Sequence, residues 1–374
     1  MSTIDREPGV SVEKGHTAGA APSEWAITTP SEPDEPAGEA RDAVAASGLP
    51  PWRRATRRLT SSSASYMLVV LAALFVVFTV LAPDTFPTQG NVRNLVVDTA
   101  VFLVMATGMT FVMVAAGLDL SIGSVLVFGG ICASKTMTWV GGQGAWTALA
   151  GLAAALLGGL VWGLFNGFCV TRLRVPALIT TLGTLGAALG VANLMTNGND
   201  VPTVPFILID IQIDYFLGLP WIVWLALVVV LIGGAVLQFT RFGRHTYIVG
   251  SNDEAARRAG INVNRHLLKL YAISGLLAGL AGMMSLVRFS TTTIGGHSQD
   301  ALTVITGVIL GGTSLYGGAG TVIGTVIGIF IPTVLQNGFV VKNVQPFWQN
   351  VAIGFILIAA VWIDQLKRRS RDRA

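Results

Sequence analysis

The sequence RFGRHTYIVGSNDEAARRAGINVNRHLLK, from Arg241 to Lys269, is a long polar segment between two strongly apolar halves of the chain. It contains six basic and two acidic residues, a net charge of +4. Each charge would cost roughly 2.5–3.5 kcal/mol at the centre of a bilayer helix, so the segment cannot span a membrane. Because basic residues collect in cytoplasmic loops, we expect this segment on the cytoplasmic side.

A short helix is predicted inside this segment, over Asn252–Arg258. Ser251, Asn252 or Asp253 can cap its start, and Gly260 can end it. A capped helix held at the membrane surface by two apolar halves would suit contact with a cytoplasmic partner. The alternative is an ordinary polar loop whose arginines only set the orientation of the spans.

The composition indicates the class of protein. Of the 374 residues, 52% are hydrophobic and 12% are charged, whereas soluble domains carry about 25% charged residues. The mean hydropathy is +0.65. We therefore predict an all-α polytopic membrane protein with about ten transmembrane helices and both termini in the cytoplasm. The basic residues stand at the ends of apolar spans rather than in one patch, which argues against nucleic-acid binding.

Ten apolar spans are predicted, and the basic residues support that count. Four segments predicted to be cytoplasmic (53–58, 172–174, 241–269 and 367–373) hold 17 of the 24 Lys and Arg residues. A shift of one span would place the segment 241–269 outside the cell. The predicted spans are about Tyr66–Ala82, Leu95–Gly117, a third that ends near Val140, Ala145–Val170, Val175–Asn197, Pro220–Phe239, Leu270–Phe289, Ala301–Ser314, Thr321–Val341 and Phe347–Ile363.

Three regions differ in composition. Residues 1–60 are predicted to be a disordered cytoplasmic tail, because they are rich in proline and the first 50 contain nine acidic and three basic residues. A regulatory or docking role for this tail is the alternative. Residues 61–366 are predicted to form the transmembrane domain, and residues 367–374 a basic cytoplasmic tail.

Sequence motifs for catalysis or metal binding are absent. The chain has no Gly-x-x-x-x-Gly-Lys-Ser/Thr phosphate loop, no His-Glu-x-x-His and no Cys-x-x-Cys. It therefore cannot itself be a P-loop ATPase. We predict that the chain is not an enzyme, needs no cofactor of its own and holds no metal.

Polar residues within the spans are the candidates for a solute pathway. Asp98 lies near the outer end of the second span, and an ionisable residue in a span is a functional candidate by default. Asn166, Thr181 and Asn193 are neutral, and a neutral polyol needs hydrogen-bonding groups rather than fixed charges. The alternatives are hydrogen bonds between helices for the neutral residues and a solvated or capping role for Asp98.

Two glycine-containing turns are candidate gating elements. The first turn, within Gly117–Ser124, leads into the third span. In it, Asp119 or Ser121 can accept hydrogen bonds from the free amides at the start of that span. The second turn, Leu315–Gly320, joins the eighth and ninth spans. The candidate residues in the two turns are Gly117, Asp119, Ser121, Gly123, Gly317 and Gly318.

Four separated stretches resemble one known family. They are GLDLSIGS (Gly117–Ser124), NGFCVTRLRVPALITTLGTL (Asn166–Leu185), GRHTYIVGSNDEAARRAGI (Gly243–Ile261) and GGTSLYGGAG (Gly311–Gly320). In order and spacing they resemble the permease subunits of ribose-type carbohydrate ABC importers, whose family also contains branched-chain amino-acid permeases. The resemblance covers roughly Leu68 to Ile363, and GLDLSIGS favours the sugar branch.

This resemblance implies an ABC importer permease fold, a function and several partners. The substrate would be a monosaccharide or related polyol, moved across the plasma membrane by alternating access. The partners would be a second permease copy or paralogue, two cytoplasmic ATPase subunits that bind the ATP, and an extracytoplasmic sugar-binding protein. The segment 241–269 would be the coupling loop that contacts the ATPase. Its implied core consists of Asn252, Glu254, Ala255, Ala256, Arg257 and Gly260.

Other transport functions remain open at this stage. A branched-chain amino-acid ABC permease is only mildly disfavoured by the neutral pathway. An ion-coupled secondary carrier would favour an ionisable relay in mid-membrane, and the candidates Asp98 and Arg288 both lie near the outer ends of their spans. Before Gly311 the family commonly has Glu-Leu-Asp, whereas this chain reads Ala301-Leu302-Thr303, with Asp300 one place earlier. The choice of sugar therefore stays open.

Overall fold

A computed structural model describes residues 63–202, 204–297 and 299–371. The chain divides into two units, Met1–Ala55 and Thr56–Ala374, and the described residues all belong to the second unit. The predicted tail, residues 1–60, lies outside the described residues. In chain order the elements are α1 Ser63–Leu81, α2 Gln89–Val114, α3 Ile122–Val140, α4 Ala145–Thr171, α5 Ala177–Thr196, α6 Phe206–Ile213, β1 Tyr215–Phe216, β2 Leu219–Pro220, α7 Trp221–Phe239, α8 Arg241–Ser251, α9 Asp253–Arg258, α10 Val263–Phe289, α11 Asp300–Leu310, α12 Val322–Val341 and α13 Pro346–Arg371.

In the described part of the chain the regular secondary structure is helical, as predicted, apart from the antiparallel pair of two-residue strands β1 and β2. Each predicted span corresponds to one helix among α1–α5, α7 and α10–α13. Seven of these helices, α2, α4, α5, α7, α10, α12 and α13, are long and apolar enough to cross a membrane. This confirms the class of all-α polytopic membrane protein, while the count of ten spans and the side of the termini stay predictions.

Helix α11 is too short to cross a bilayer and ends earlier than the span predicted for it. It has 11 residues and is therefore about 16 Å long, roughly half the thickness of a bilayer's hydrocarbon core. The predicted span continued to Ser314, but the helix ends at Leu310, and glycine-rich residues follow. Before α11, the chain folds back along α10. This is shown by the contact between the side chains of His297 and Ser285, since Ser285 lies four residues before α10 ends.

The segment from Arg241 to Lys269 is helical almost throughout, rather than a loop with one short helix. It comprises α8, α9 and the start of α10. A side-chain oxygen before each helix accepts a hydrogen bond from an amide in its first turn: Thr240 for α8, Asn252 for α9 and Asn262 for α10.

Near the C-terminus, α13 continues to Arg371, so the predicted boundary at residue 366 falls inside a helix.

Helix α10 packs closely against α4 through glycines. An added Cβ on Gly163 would lie 3.1 Å from both Ala272 Cα and Gly275 Cα, and one on Gly159 would lie 2.8 Å from Gly279 N. Since lipid gives no hydrophobic drive for helix association, close backbone approach at small residues is a main source of packing energy. Gly159 and Gly163 therefore let the backbones of α4 and α10 lie in direct contact.

Two of the segments predicted to be cytoplasmic, 172–174 and 241–269, lie at one end of the helices. Arg172, after α4, and Arg265, in the first turn of α10, line the same small cavity. Helix α8 contacts the last residue of α2, Val114, through Gly250. We refer to this end as the inner end, following the orientation that the basic residues predict.

Candidate functional site

Helix α9 has a defined start and end. The side chain of Asn252 accepts a hydrogen bond from Ala255 N at 2.9 Å, so Asn252 is the cap among the three candidates. At the other end, Gly260 has φ +80°, and Ile261 N donates to Ala256 O at 3.0 Å. This left-handed glycine ends the helix as predicted, because a side chain there would be strained.

Helix α9 has one buried position and a charged, exposed remainder. Ala256 is fully buried and packs in a cluster with residues of α2, α7, α8 and α10. Glu254 pairs with Arg258, and the two side chains are 70% and 78% exposed. Arg257 lies 3.7 Å from Asp253 in a second exposed pair. Such pairs contribute only about 0–1 kcal/mol each, so Ala256 and the caps hold the helix while its charges remain free to meet a partner.

Helix α8 connects this exposed helix to the membrane domain. The hydroxyl of Tyr247 donates a hydrogen bond to Gly320 O at 2.6 Å. Burial raises the pKa of Tyr247 above its ordinary value, so this hydroxyl stays a hydrogen-bond donor well above neutral pH. Gly318 N donates to Val114 O at 2.8 Å. The ends of α2 and α8 and the turn before α12 therefore meet at one junction.

Glycines make this junction possible. Gly317 and Gly318 have φ of +80° and +73°, which L side chains rarely adopt. An added Cβ on Gly317 would lie 2.7 Å from Gly250 O, and one on Gly250 would collide with Val114 O. An added Cβ on Gly117 would lie 3.0 Å from the Tyr271 hydroxyl. Three of the predicted gating glycines thus lie where separate elements touch.

Asp119 is the centre of a buried hydrogen-bond network. One carboxylate oxygen accepts from Ser121 N at 3.1 Å and from the Ser121 hydroxyl at 2.6 Å. The other accepts from the hydroxyl of Ser274, on α10, at 2.9 Å. The expected capping of the first turn of α3 is not seen, because Asp119 accepts from the amide of Ser121, which precedes the helix, and the Ser121 side chain caps no amide of α3.

The network continues into α4 and α5. Asn166 Nδ2 donates to the Ser121 hydroxyl at 2.8 Å, and the Thr184 hydroxyl donates to Asn166 Oδ1 at 2.7 Å. Asn166 is fully buried. Its side chain thus makes the helix-to-helix hydrogen bonds that the alternative interpretation expected.

The other neutral pathway candidates bond within their own helix. The Thr181 hydroxyl donates to Ala177 O at 2.9 Å, and Asn193 Nδ2 donates to Leu189 O at 2.9 Å. Neither residue lines the polar cavity that contains Asp98. A role for Asn166, Thr181 and Asn193 in solute transfer stays a prediction.

That polar cavity, of about 400 Å³, lies toward the outer end of the helices. Asp98 Oδ1 accepts a hydrogen bond from Arg288 Nε at 3.0 Å, so two residues that the sequence treated separately form an ion pair. The sequence interpretation named Asp300 only as a departure from the family pattern and did not include His297, Gln336 or Gln349. The polar lining includes Asp98, Arg288, His297, Asp300, Gln336 and Gln349.

A second cavity, of about 810 Å³, is lined mainly by apolar side chains of α4, α6, α7 and α10. It offers few hydrogen-bonding partners to a polar solute. Within the described residues, no group of three or more His, Cys, Asp or Glu side chains could hold a metal ion. The 400 Å³ cavity is therefore the better candidate for a polar solute.

Comparison with known proteins identifies the family. The model of a family described as "Branched-chain amino acid transport system / permease component" matches residues 91–361. The chain belongs to this family. The resemblance predicted from the four stretches is therefore confirmed, and the family together with the apolar helices indicates a multi-pass plasma-membrane protein.

Characterised members of this permease family are similar over most of their length. The ribose import permease protein RbsC of Escherichia coli (strain K12) is 36% identical over 305 residues, which cover 80% of this chain and 93% of that protein. The L-arabinose transport system permease protein AraH of the same strain is 35% identical over 309 residues, covering 82% and 91%. The xylose transport system permease protein XylH is 31% identical over 366 residues, covering 81% and 92%. No solved structure matches the chain.

Proposed function

We propose that this chain is the transmembrane permease subunit of an ATP-driven importer for a neutral monosaccharide of the pentose class. The observation that carries the proposal is its similarity, over about four fifths of the chain, to three permeases named for ribose, L-arabinose and xylose. The polar cavity supports it, because its lining combines amide, carboxylate and guanidinium groups that can hydrogen-bond sugar hydroxyls. The chain itself binds no cofactor, and a partner ATPase binds and hydrolyses the ATP.

The proposed partners follow from the same function. Two cytoplasmic ATPase subunits bind the inner end, an extracytoplasmic binding protein delivers the sugar, and a second permease copy or paralogue completes the pathway. The exposed helix α9 is the contact with the ATPase, with Asn252, Glu254, Ala255, Ala256, Arg257 and Gly260 as its core. Its exposed charges support this assignment, because rim charges at interfaces mainly guide association and set specificity.

The proposed coupling runs through packed elements. When ATP closes the ATPase subunits, α9 moves, and α8 moves with it because Ala256 is buried against their common cluster. Helix α8 then pulls the segment before α12 through the hydrogen bond from Tyr247 to Gly320. It also pulls the end of α2, which contacts Gly250. Such discrete contacts allow small inner movements to reorient helices and so alternate access to the pathway.

A charge reversal on α9 tests the docking role. We expect Glu254→Arg to abolish ATP-dependent pentose uptake and to reduce capture of the ATPase by the purified permease, since it replaces an exposed acid with a base beside Arg258. The matched control is Asp214→Arg, an exposed outer acid, which should insert and transport normally. Unchanged uptake and ATPase capture by Glu254→Arg would exclude α9 as the coupling contact.

Two other transport functions give different results in the same vesicles. The family description names branched-chain amino acids, and an amino-acid permease would move leucine rather than pentoses. An ion-coupled carrier would accumulate solute in vesicles that hold this chain alone, under a proton or sodium gradient and without ATP. Uptake of a pentose only with ATP, ATPase and binding protein is the result we expect.

A further inference from the structure

The 400 Å³ cavity has a size suited to a small molecule. Its volume falls within the range of about 300–1,000 Å³ found for small-molecule sites. Its walls come from α2, α10, α11, α12 and α13, together with the chain between α10 and α11. A ligand held there would therefore contact several separate helices.

A buried polar cluster forms part of the cavity lining. His297 Nδ1 is hydrogen-bonded to the carboxylate of Asp300, and each of these side chains is only 10% exposed. The other ring nitrogen, Nε2, lies 2.8 Å from the hydroxyls of both Ser285 and Thr293. Burying so many polar groups costs free energy even when they are paired. A core that only had to pack would be more stable with apolar side chains there.

The same cavity also contains other polar groups. Arg288 and Asp98 form an ion pair, and Gln336 and Gln349 add side-chain amides. Both carboxylates of the cavity, Asp98 and Asp300, have a partner. The lining thus offers many donors and acceptors but few unpaired charges, which suits a neutral solute with several hydroxyls better than an ion.

The position of the cavity also fits a transport site. The half-length helix α11 begins at Asp300, on the cavity wall, and runs to the glycine turn that meets α8 near the inner end. Gly123, at the start of α3, lies against the backbone of the cavity wall, since an added Cβ would be 3.1 Å from His297 O. In transporters, solute sites commonly lie where discontinuous helices begin or end.

We propose that this cavity is a hydroxyl-recognition site for the monosaccharide within the permease itself. His297, Asp300 and Gln336 would bind sugar hydroxyls, with Asp98 and Arg288 in the same lining. This proposal rests on the proposed function and deepens it, because it names where the permease holds its substrate. Helix α11 would then carry movement from the inner junction directly to the bound sugar.

A thiol-protection experiment tests the site without requiring transport. In the full chain with Cys132 and Cys169 replaced by alanine, Gln349→Cys places a thiol in the cavity lining. Membranes are treated with an impermeant maleimide in the presence of ribose, L-arabinose, xylose or leucine. We expect at least one pentose to slow labelling in a saturable way and leucine to have no effect. The matched control, Asn350→Cys, is exposed on the same helix and should label at a rate that sugar does not change.

A second variant tests whether the protection from labelling depends on a side chain of the cavity lining. Gln336→Leu, combined with Gln349→Cys, should raise the pentose concentration for half-protection about tenfold, since the amide's hydrogen bonds to hydroxyls are lost. Asp214→Asn, a neutralised acid outside the cavity, should leave that concentration unchanged. The absence of pentose protection, protection by leucine alone, or an unchanged half-protection concentration in Gln336→Leu would each overturn the proposal.

Labelling and import measured together distinguish failure of the binding-site proposal from failure of the proposed function. Pentose protection in a chain that proves unable to support import would uphold the binding site and exclude the importer. Pentose import by a permease that shows no protection would uphold the importer and exclude the cavity as its sugar site.

Discussion

Replacement of Gly159 by alanine tests whether contact between α4 and α10 stabilises the membrane domain. An added Cβ would lie 2.8 Å from Gly279 N and 2.9 Å from Gly279 Cα, and it would collide with Gly275 O. All of these atoms belong to the backbone of α10, so a side-chain rotation cannot relieve the contact. The two helices would have to separate along a contact that also contains Gly163.

The expected change in the free energy of unfolding follows from two opposing effects. Overpacking a close contact costs about 1–3 kcal/mol, whereas alanine favours a helix over glycine by up to about 1 kcal/mol. We expect a net loss of about 1–2 kcal/mol for Gly159→Ala. Gly186, within α5, has no atom near its would-be Cβ, so Gly186→Ala should show only the favourable effect. The two substitutions therefore have opposite expected signs.

Thermal unfolding of the detergent-purified chain measures this difference. At about 2–4 °C per kcal/mol for proteins of 150–250 residues, Gly159→Ala should lower the midpoint by several degrees, while Gly186→Ala should leave it unchanged or raise it slightly. Equal shifts for the two variants, or a rise for Gly159→Ala, would show that the backbones of α4 and α10 do not meet as described.

Two further substitutions test the junction and the buried network. Tyr247→Phe removes the hydrogen bond to Gly320 while keeping the ring, so we expect normal membrane insertion but more ATP hydrolysed per sugar imported; an unchanged ratio would contradict coupling through this bond. Asp119→Ala removes a carboxylate that accepts three hydrogen bonds, and each buried donor left unsatisfied costs about 1–3 kcal/mol. Its thermal midpoint should fall well below that of Asp119→Asn, which keeps one acceptor, and equal midpoints would contradict the network.

The sequence by itself determined the class of protein and the position of nearly every long helix. Charge and hydropathy suffice for this, because a charged residue is costly in lipid and an apolar run of the right length is stable there. It also determined the end of α9 at Gly260 and narrowed its start to three candidates, because a cap acts on amides and carbonyls within a few residues, and the structure selects Asn252 among them. The four separated stretches identified the family for a related reason, since they are local patterns.

Only the tertiary structure decided which polar groups meet. Asp98 and Arg288 are 190 positions apart, Asp119 and Ser274 are 155 apart, and Tyr247 and Gly320 are 73 apart. The sequence does not mark these pairs, because a span buried against protein and a span facing lipid are both apolar, and hydropathy cannot show which face turns inward. Partners therefore depend on how helices cross, and in this chain the crossings depend on glycines whose backbones touch.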